Sequence, residues 1–204
     1  MTVHDREESE LEFGRVLAFS DGVFAIAITL LVLSIDIPTV PEASNTLPLP
    51  QELWDVRWQL VAYFLSFAVV GLFWVHHHRM LANLRGFDGR LMALNLLVLC
   101  FIALLPVPTE LLGEYGNEAW GVWPYAVCMA CVSLAMGAIF HDAHARDLLR
   151  EPPATAAALR AQRLRTVIPA AVFLASVPVA FLSPLVAVCM WGLLLLTRRV
   201  IPDP

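Results

Sequence analysis

Apolar residues run along this chain in blocks too long for strands and too uniform for surface helices. Residues 16–37 form the first block, which stops at Pro38. Residues 38–50 hold four prolines and predict an extended loop, because proline removes a backbone donor and clashes with a preceding turn. Further spans are predicted over residues 58–75, over 91–112 with Gly113 as the stop, and over 119–140. A polar stretch follows at 141–165, whose middle is expected to form a short helix lying at the membrane interface. The last apolar run, residues 166–197, holds 32 residues without a charge. As one helix it would be about 48 Å long, more than the roughly 30 Å of a bilayer core. Pro184 suits a helix start and Ser183 a cap, so the run reads as two short spans, 166–182 and 184–200.

Composition agrees with six crossings. Hydrophobic residues make up 59% of 204, charged residues 15%, and the mean hydropathy is +0.70, well outside the usual range of soluble domains. The expected fold class is all-α: a polytopic membrane protein of six transmembrane helices in a single domain over residues 1–204. All 13 basic residues are arginines. Six spans with an inside N-terminus put every arginine except Arg57 on one side, whereas a single long fifth helix would move Arg198 and Arg199 across. The positive-inside rule favours six spans with both termini cytoplasmic, in the plasma membrane. Glu42, Glu52, Asp55, Glu110, Glu114 and Glu118 fall in the outer loops. The N-terminus is acidic and precedes a run without a small-residue cleavage site, so no secretory leader is read there. A net charge of -5 gives no reason to expect nucleic acid as a partner.

The first span carries an aspartate inside an apolar run, where a charge is costly unless paired or facing a polar interior. At about 100° per residue, Gly22, Leu30, Leu33 and Ile37 lie within about 40° of Ile26, and Thr29 within about 60°. Ser20 and Asp21 point roughly 120° and 140° away. One stripe is therefore aliphatic with one hydroxyl, and the other face carries Ser20 and Asp21. The histidines His76, His77 and His78 end an antiparallel second helix at the same depth. A histidine donating to Asp21 would offset much of its burial cost, and Asn95 stands at a similar depth to join in. This favours a structural pairing of Asp21 over direct ion contact.

These residues also carry a resemblance. Arg15-x-x-x-Phe19-Ser20-Asp21 before an Ile/Thr/Leu-rich span resembles the signature of the transmembrane protein 175 family of lysosomal and prokaryotic potassium channels. Trp74-x-x-His77-His78, Asn95-Leu96 and Leu105-Pro106-x-Pro108-Thr109 are similar to later elements of that family, and the similarity covers the whole length of a one-repeat prokaryotic member. The resemblance implies a homotetramer with four first helices around a central pore, and a constriction of aliphatic side chains. Mapped here, Ile26, Leu30 and Leu33 form that constriction and Thr29 adds a hydroxyl to the wall. Arg15, Phe19, Ser20, Asp21, Trp74, His77, His78 and Asn95 then form the structural motif network. His76 lies outside the family pattern. Potassium is the implied permeant ion, conducted passively, without cofactor.

Other constellations are weaker. Cys128-x-x-Cys131 has metal-like spacing but lies mid-helix without a second ligand pair, so it reads as packing, and all four cysteines lie in apolar runs. His76, His77 and His78 could approach His141 and His144 as a metal or proton-sensing cluster, against the default of interfacial histidines; no metal site is assigned. Gly113-Glu114-Tyr115-Gly116 lacks the lead-in of a potassium filter and reads as an outer turn. No nucleotide loop, zinc-protease motif or Ser/His/Asp arrangement is present, so an enzyme is not expected. Arg146, Arg150, Arg160, Arg163 and Arg165 are expected to hold the fourth-to-fifth loop against anionic lipid at the cytoplasmic face. The rival reading is a proton-coupled carrier or a proton-conducting channel using Asp21 and the second-helix histidines. Against a carrier, no 3+3 repeat is seen, and Pro124, Pro169 and Pro178 do not pair symmetrically. A third reading is a membrane scaffold whose polar network serves assembly alone.

Overall fold

The computed structural model describes residues 3–36, 54, 56–153, 155–192 and 194, with residues 3–10 described by their backbone alone. Helix α1 spans Val3–Leu30 and tightens into a 3-10 turn over Leu31–Ser34. It is followed by α2 (Arg57–Ala82), α3 (Gly89–Leu104), α4 (Pro106–Tyr115), α5 (Ala119–Ala145), α6 (Ala156–Ala180) and α7 (Pro184–Trp191). The described residues form no strand, only an isolated antiparallel bridge between Leu84 and Leu149. Five stretches are long and apolar enough to cross a membrane: Leu11–Ser34, Arg57–Ala82, Gly89–Tyr115, Ala119–Ala145 and Ala156–Ala180. The expected loop at 38–50 and the end of the expected 184–200 span lie outside the described residues.

Several boundaries differ from the sequence expectation for identifiable reasons. The third span is two helices, because Pro106 and Pro108 cannot donate to the ladder. Leu105 N–H turns back to Ile102 O at 3.2 Å, and Leu105 O takes both the backbone and the hydroxyl of Thr109, at 3.1 and 2.9 Å. Those bonds satisfy backbone groups that the break would otherwise strand in hydrocarbon. Gly113 is not a stop but an interior residue of α4, used for close approach to α2. Among the described residues of 141–165 no separate interfacial helix forms. Instead α5 runs on to Ala145, and α6 begins at Ala156, where the Thr155 hydroxyl accepts from Ala158 N at 3.1 Å. The alanine-, leucine- and arginine-rich run behind that cap has strong helix propensity and extends the span into the polar region. The chain does turn between α6 and α7, with Ser183 as N-cap and Pro184 in the first turn.

Helix α5 is the centre of the bundle. Of its span 61% is buried, against 22% for α1, and it packs on α3, α4, α6 and α7. Its buried residues include Ala126, Ala130, Ala135 and Ala143, small enough to let neighbouring backbones approach where lipid offers no hydrophobic drive. Trp191 of α7 stacks on Tyr125 at 4.8 Å between ring centres and touches Phe173 at 5.5 Å. Its indole N–H donates to Ser176 Oγ at 2.9 Å, which satisfies the polar end of a buried aromatic. Helix α1 is peripheral, touching mainly α2 and α3, while its terminal 3-10 turn packs on α4 and α2.

At the arginine-bearing end, the α2–α3 and α5–α6 connections are tied together. Arg85 N–H donates to Leu148 O at 2.8 Å, and Arg150 N–H to Asn83 O at 2.7 Å. The Asn83 amide both donates to Glu151 O and accepts from Glu151 N. Beside them Asp88 caps α3 through Leu91 N at 2.9 Å and pairs with Arg146, which also grips the buried Asp142; Arg90 reaches Asp142 at 3.0 Å. The Arg146 guanidinium, with the Leu91 N–H, holds the Asp88 carboxyl down at about 2, and the same pairing pushes Arg146 upward. A depressed carboxylate stabilises the fold above its ordinary value of 3.8 and loses that contribution as the pH falls toward 2. Arg146→Gln is therefore expected to lower the melting temperature in detergent at neutral pH. The gap to wild type should narrow between pH 4 and pH 2. Equal melting temperatures at neutral pH would show that this clamp does not stabilise the bundle.

Candidate functional site

Helix α1 is apolar nearly all round within its span, so its orientation has to be read from what it touches. Ser20, Phe24, Ala27, Leu31 and Ser34 are buried, at spacings of four and three residues that trace one helical face. On the opposite stripe, Ile26 is 61% exposed, Leu30 40% and Leu33 73%, and Thr29 is exposed with them. The Thr29 hydroxyl donates to Ile26 O at 2.8 Å, so its free lone pairs face outward. The subunit thus leaves uncovered the stripe that helical geometry groups around Ile26.

The inward face is held by two short polar branches. In the first, Asp21 Oδ1 accepts the indole N–H of Trp74 at 2.8 Å, and both carboxylate oxygens lie 3.2 Å from His78 Nδ1. Trp74 and His78 are one turn apart on α2, so their rings stand together, 5.8 Å between centres, and present two donors to one carboxylate. In the second, the Ser20 hydroxyl donates to Val16 O at 2.9 Å and accepts from Asn95 Nδ2 at 2.9 Å. Asn95 Oδ1 then faces His77 Nε2 at 2.9 Å. Because the serine proton is committed to a backbone carbonyl, the asparagine amide must donate to Ser20. His77 Nε2 must in turn carry the proton that Asn95 accepts. Ser20, His77 and Asn95 are all fully buried, and the His77 ring packs on Phe24 at 5.1 Å. His77 Nδ1 is buried with no hydrogen-bond partner.

The structure therefore brings together Ser20, Asp21, Trp74, His77, His78 and Asn95. It leaves Arg15 and Phe19 outside this network. Both are exposed on the outer stripe, about three and two turns before Ile26, because a four-residue step keeps them on that face rather than beside Asp21. His144 stacks on Phe140 at 6.0 Å. No group of three or more His, Cys, Asp or Glu among the described residues is arranged to hold a metal. Trp74 was expected in the motif network but not as a donor to Asp21, for which its four-residue spacing from His78 was the signal; Phe24 was not singled out and carried no signal. Asn95→Ala removes the acceptor of the buried His77 N–H and a donor to Ser20. It is expected to cost about 1–3 kcal/mol, read as a lower melting temperature in detergent. Wild-type stability would mean that water or lipid replaces the amide.

Comparison with known proteins follows the same elements. The family model described as Endosomal/lysosomal potassium channel TMEM175 matches residues 15–106, the segment that contains both branches. A potassium channel of Streptomyces collinus is 40% identical over 195 residues, covering 91% of this chain and 90% of its own. The endosomal/lysosomal proton channel TMEM175 of Bos taurus is 34% identical over 134 residues, 63% of this chain and 28% of its own. The crystal structure of a lysosomal potassium-selective channel TMEM175 homolog from Chamaesiphon minutus superposes with a TM-score of 0.80 at 27% identity. That match covers 94% of this chain and 99% of the other. With close similarity over nearly the full length of a bacterial relative, a matching fold and a matching family segment, this multi-pass membrane protein belongs to the TMEM175 channel family.

Proposed function

We propose that this chain forms a passive potassium-selective channel in which α1 lines the pore and Ile26, Leu30 and Leu33 form its constriction, with Thr29 in the wall. The observation that carries the reading is the uncovered aliphatic stripe of α1, opposite a face locked by six polar side chains. A single such helix encloses nothing, so a homotetramer of the whole chain, one six-helix domain per subunit, completes the pore. Selectivity then depends on neck radius and on the cost of stripping water where aliphatic rings narrow the path. The relatives named potassium channels support potassium as the permeant ion. No catalytic role and no cofactor enter this reading. We place the chain in the plasma membrane with both termini cytoplasmic, on the strength of the arginine distribution. On that orientation the exposed Arg160 and Arg163 of α6 meet anionic headgroups.

The proton reading is the second one, favoured by the proton-channel names of the vertebrate relatives and by the Asp21–His78 pair. Ion flux in liposomes separates the two. Uptake driven by a potassium gradient, slower with sodium and independent of a pH gradient, is expected. Flux that requires a proton gradient would replace the potassium reading, and its absence from assembled tetramers would favour a scaffold.

Two substitutions test the residues. Ile26→Asn and Leu30→Asn should each raise unit conductance and relax potassium-over-sodium selectivity by wetting the neck; unchanged currents in both would remove α1 from the pore. Asp21→Ala should reduce the yield or stability of the tetramer, since it strips two donors of their acceptor. A stable tetramer with altered selectivity would place Asp21 in contact with the ion.

A further inference from the structure

The end of α1 beyond Leu30 is not a continuation of the same helix. Over Leu31–Ser34 the backbone is a 3-10 turn, and Ile35 N–H closes on Val32 O at 3.2 Å, three residues back. In an α-helix that N–H would go to Leu31 O. Here Leu31 O is taken by the hydroxyl of Ser34 at 2.7 Å, and both Leu31 and Ser34 are buried. The Ser34 side chain thus competes with the α-helical bond for the same carbonyl. The turn also sets the direction of Leu33: in 3-10 geometry residues i and i+3 eclipse, so Leu33 stands over Leu30. An α-turn would carry it about 60° aside.

The turn is braced from outside. Asp36 N–H donates to Gln59 Oε1 at 2.9 Å, which ties the exit of α1 to the first turn of α2. Gln59 is in turn pressed by α4: a Cβ on Gly113 would lie 3.0 Å from Gln59 Cα and 3.3 Å from its Cγ, so any larger residue would have to push the two helices apart. Helix α4 also packs on the 3-10 turn itself. Its own link to α3 is the break at Leu105–Pro106, where the helical ladder is interrupted.

We propose that α4, Gln59 and the 3-10 turn form a lever that sets the outer end of the pore, holding Leu33 stacked on Leu30 in the narrow state. Tilting α4 about Leu105–Pro106 relaxes Gln59, lets the turn revert to α-helix and swings Leu33 off the stack. A 3-10 turn at a helix end can exchange with α-helix at this point, since the two forms differ by one shifted hydrogen bond per residue. The lever rests on the pore assignment proposed above but involves residues outside the constriction itself.

The test is single-channel recording in planar bilayers of Ser34→Ala, Gln59→Leu and Gly113→Ala, with wild type and Ile26→Asn beside them. Ser34→Ala frees Leu31 O for Ile35, Gln59→Leu removes the brace, and Gly113→Ala pushes α4 from α2. Every variant that assembles as wild type does is expected to raise open probability roughly threefold or more, the scale of coupling through a packed chain of residues. The potassium-to-sodium ratio should stay the same. Unchanged or lowered open probability in the assembled variants, or altered selectivity, overturns the lever. If Ile26→Asn raises conductance in that case, the pore assignment stands and the lever alone fails. If neither wild type nor Ile26→Asn conducts, the pore assignment fails and takes the lever with it.

Discussion

The anchoring of Ser20 and Asp21 to α2 and α3 is the constraint on which the rest of this structure depends. Between helices in lipid there is little hydrophobic drive, because lipid tails are as apolar as leucine. An apolar helix such as α1 could therefore rotate about its axis at small cost. Two adjacent polar side chains abolish that freedom. Asp21 finds Trp74 and His78, and Ser20 finds Asn95 backed by His77, all within hydrogen-bonding distance. Any rotation that unpairs them strands several polar groups in hydrocarbon, at about 1–3 kcal/mol each. With Ser20 fixed inward, helical spacing alone turns Phe24, Ala27 and Leu31 inward and Ile26, Leu30 and Leu33 outward. The aliphatic stripe is thus positioned by polar groups that do not belong to it.

The remaining helices divide the work. Helices α3, α4, α6 and α7 are organised around α5, with the Tyr125, Phe173 and Trp191 rings as the densest part of that packing. Helix α2 spans both regions, meeting α4 at Gln59 and Ser66 and α1 at Trp74 and His78. A solid block of helices therefore carries a thin outer layer, and α1 is free to present one side to a neighbour. Had α1 been central, as α5 is, no stripe would be left to share.

The all-helical, membrane-spanning character, the break before Pro184 and the meeting of α1, α2 and α3 at one depth were legible in the sequence, while the described residues hold five stretches long enough to cross, against the six expected. Each rests on a local signal: proline after serine, charges segregated from apolar runs, or a carboxylate at the level of histidines and an asparagine. What was not legible depended on tertiary choices. Gly113 looked like a helix stop because glycine usually is one, yet here it admits the backbone of Gln59. The start of α6 was placed too late because arginines signal the interface, while Thr155 and the alanines behind it had already begun a helix. Arg15 and Phe19 were grouped with Asp21 as one motif, although a motif contiguous in sequence is split across two faces once it is helical. The partner of Asp21 was expected to be a histidine; Trp74, named in the motif network through the resemblance, shares the carboxylate as a second donor.

The geometry of the two branches also bears on what they can transmit. A proton relay needs a continuous run of donors and acceptors. Among the described residues, the side-chain hydrogen bonds of Asp21 go to Trp74 and His78, and those of Asn95 to Ser20 and His77, with no bond joining the sets. The buried branch ends at Val16 O on one side and at the unpartnered Nδ1 of His77 on the other. Trp74 can donate but cannot accept, so it stops a relay at Asp21. The buried branch is a terminated chain, the form expected of groups that fix a helix, whereas the His78 side chain of the other branch is 41% exposed. Around Ile26 the outward stripe carries Thr29 and aliphatic side chains that take no part in either branch.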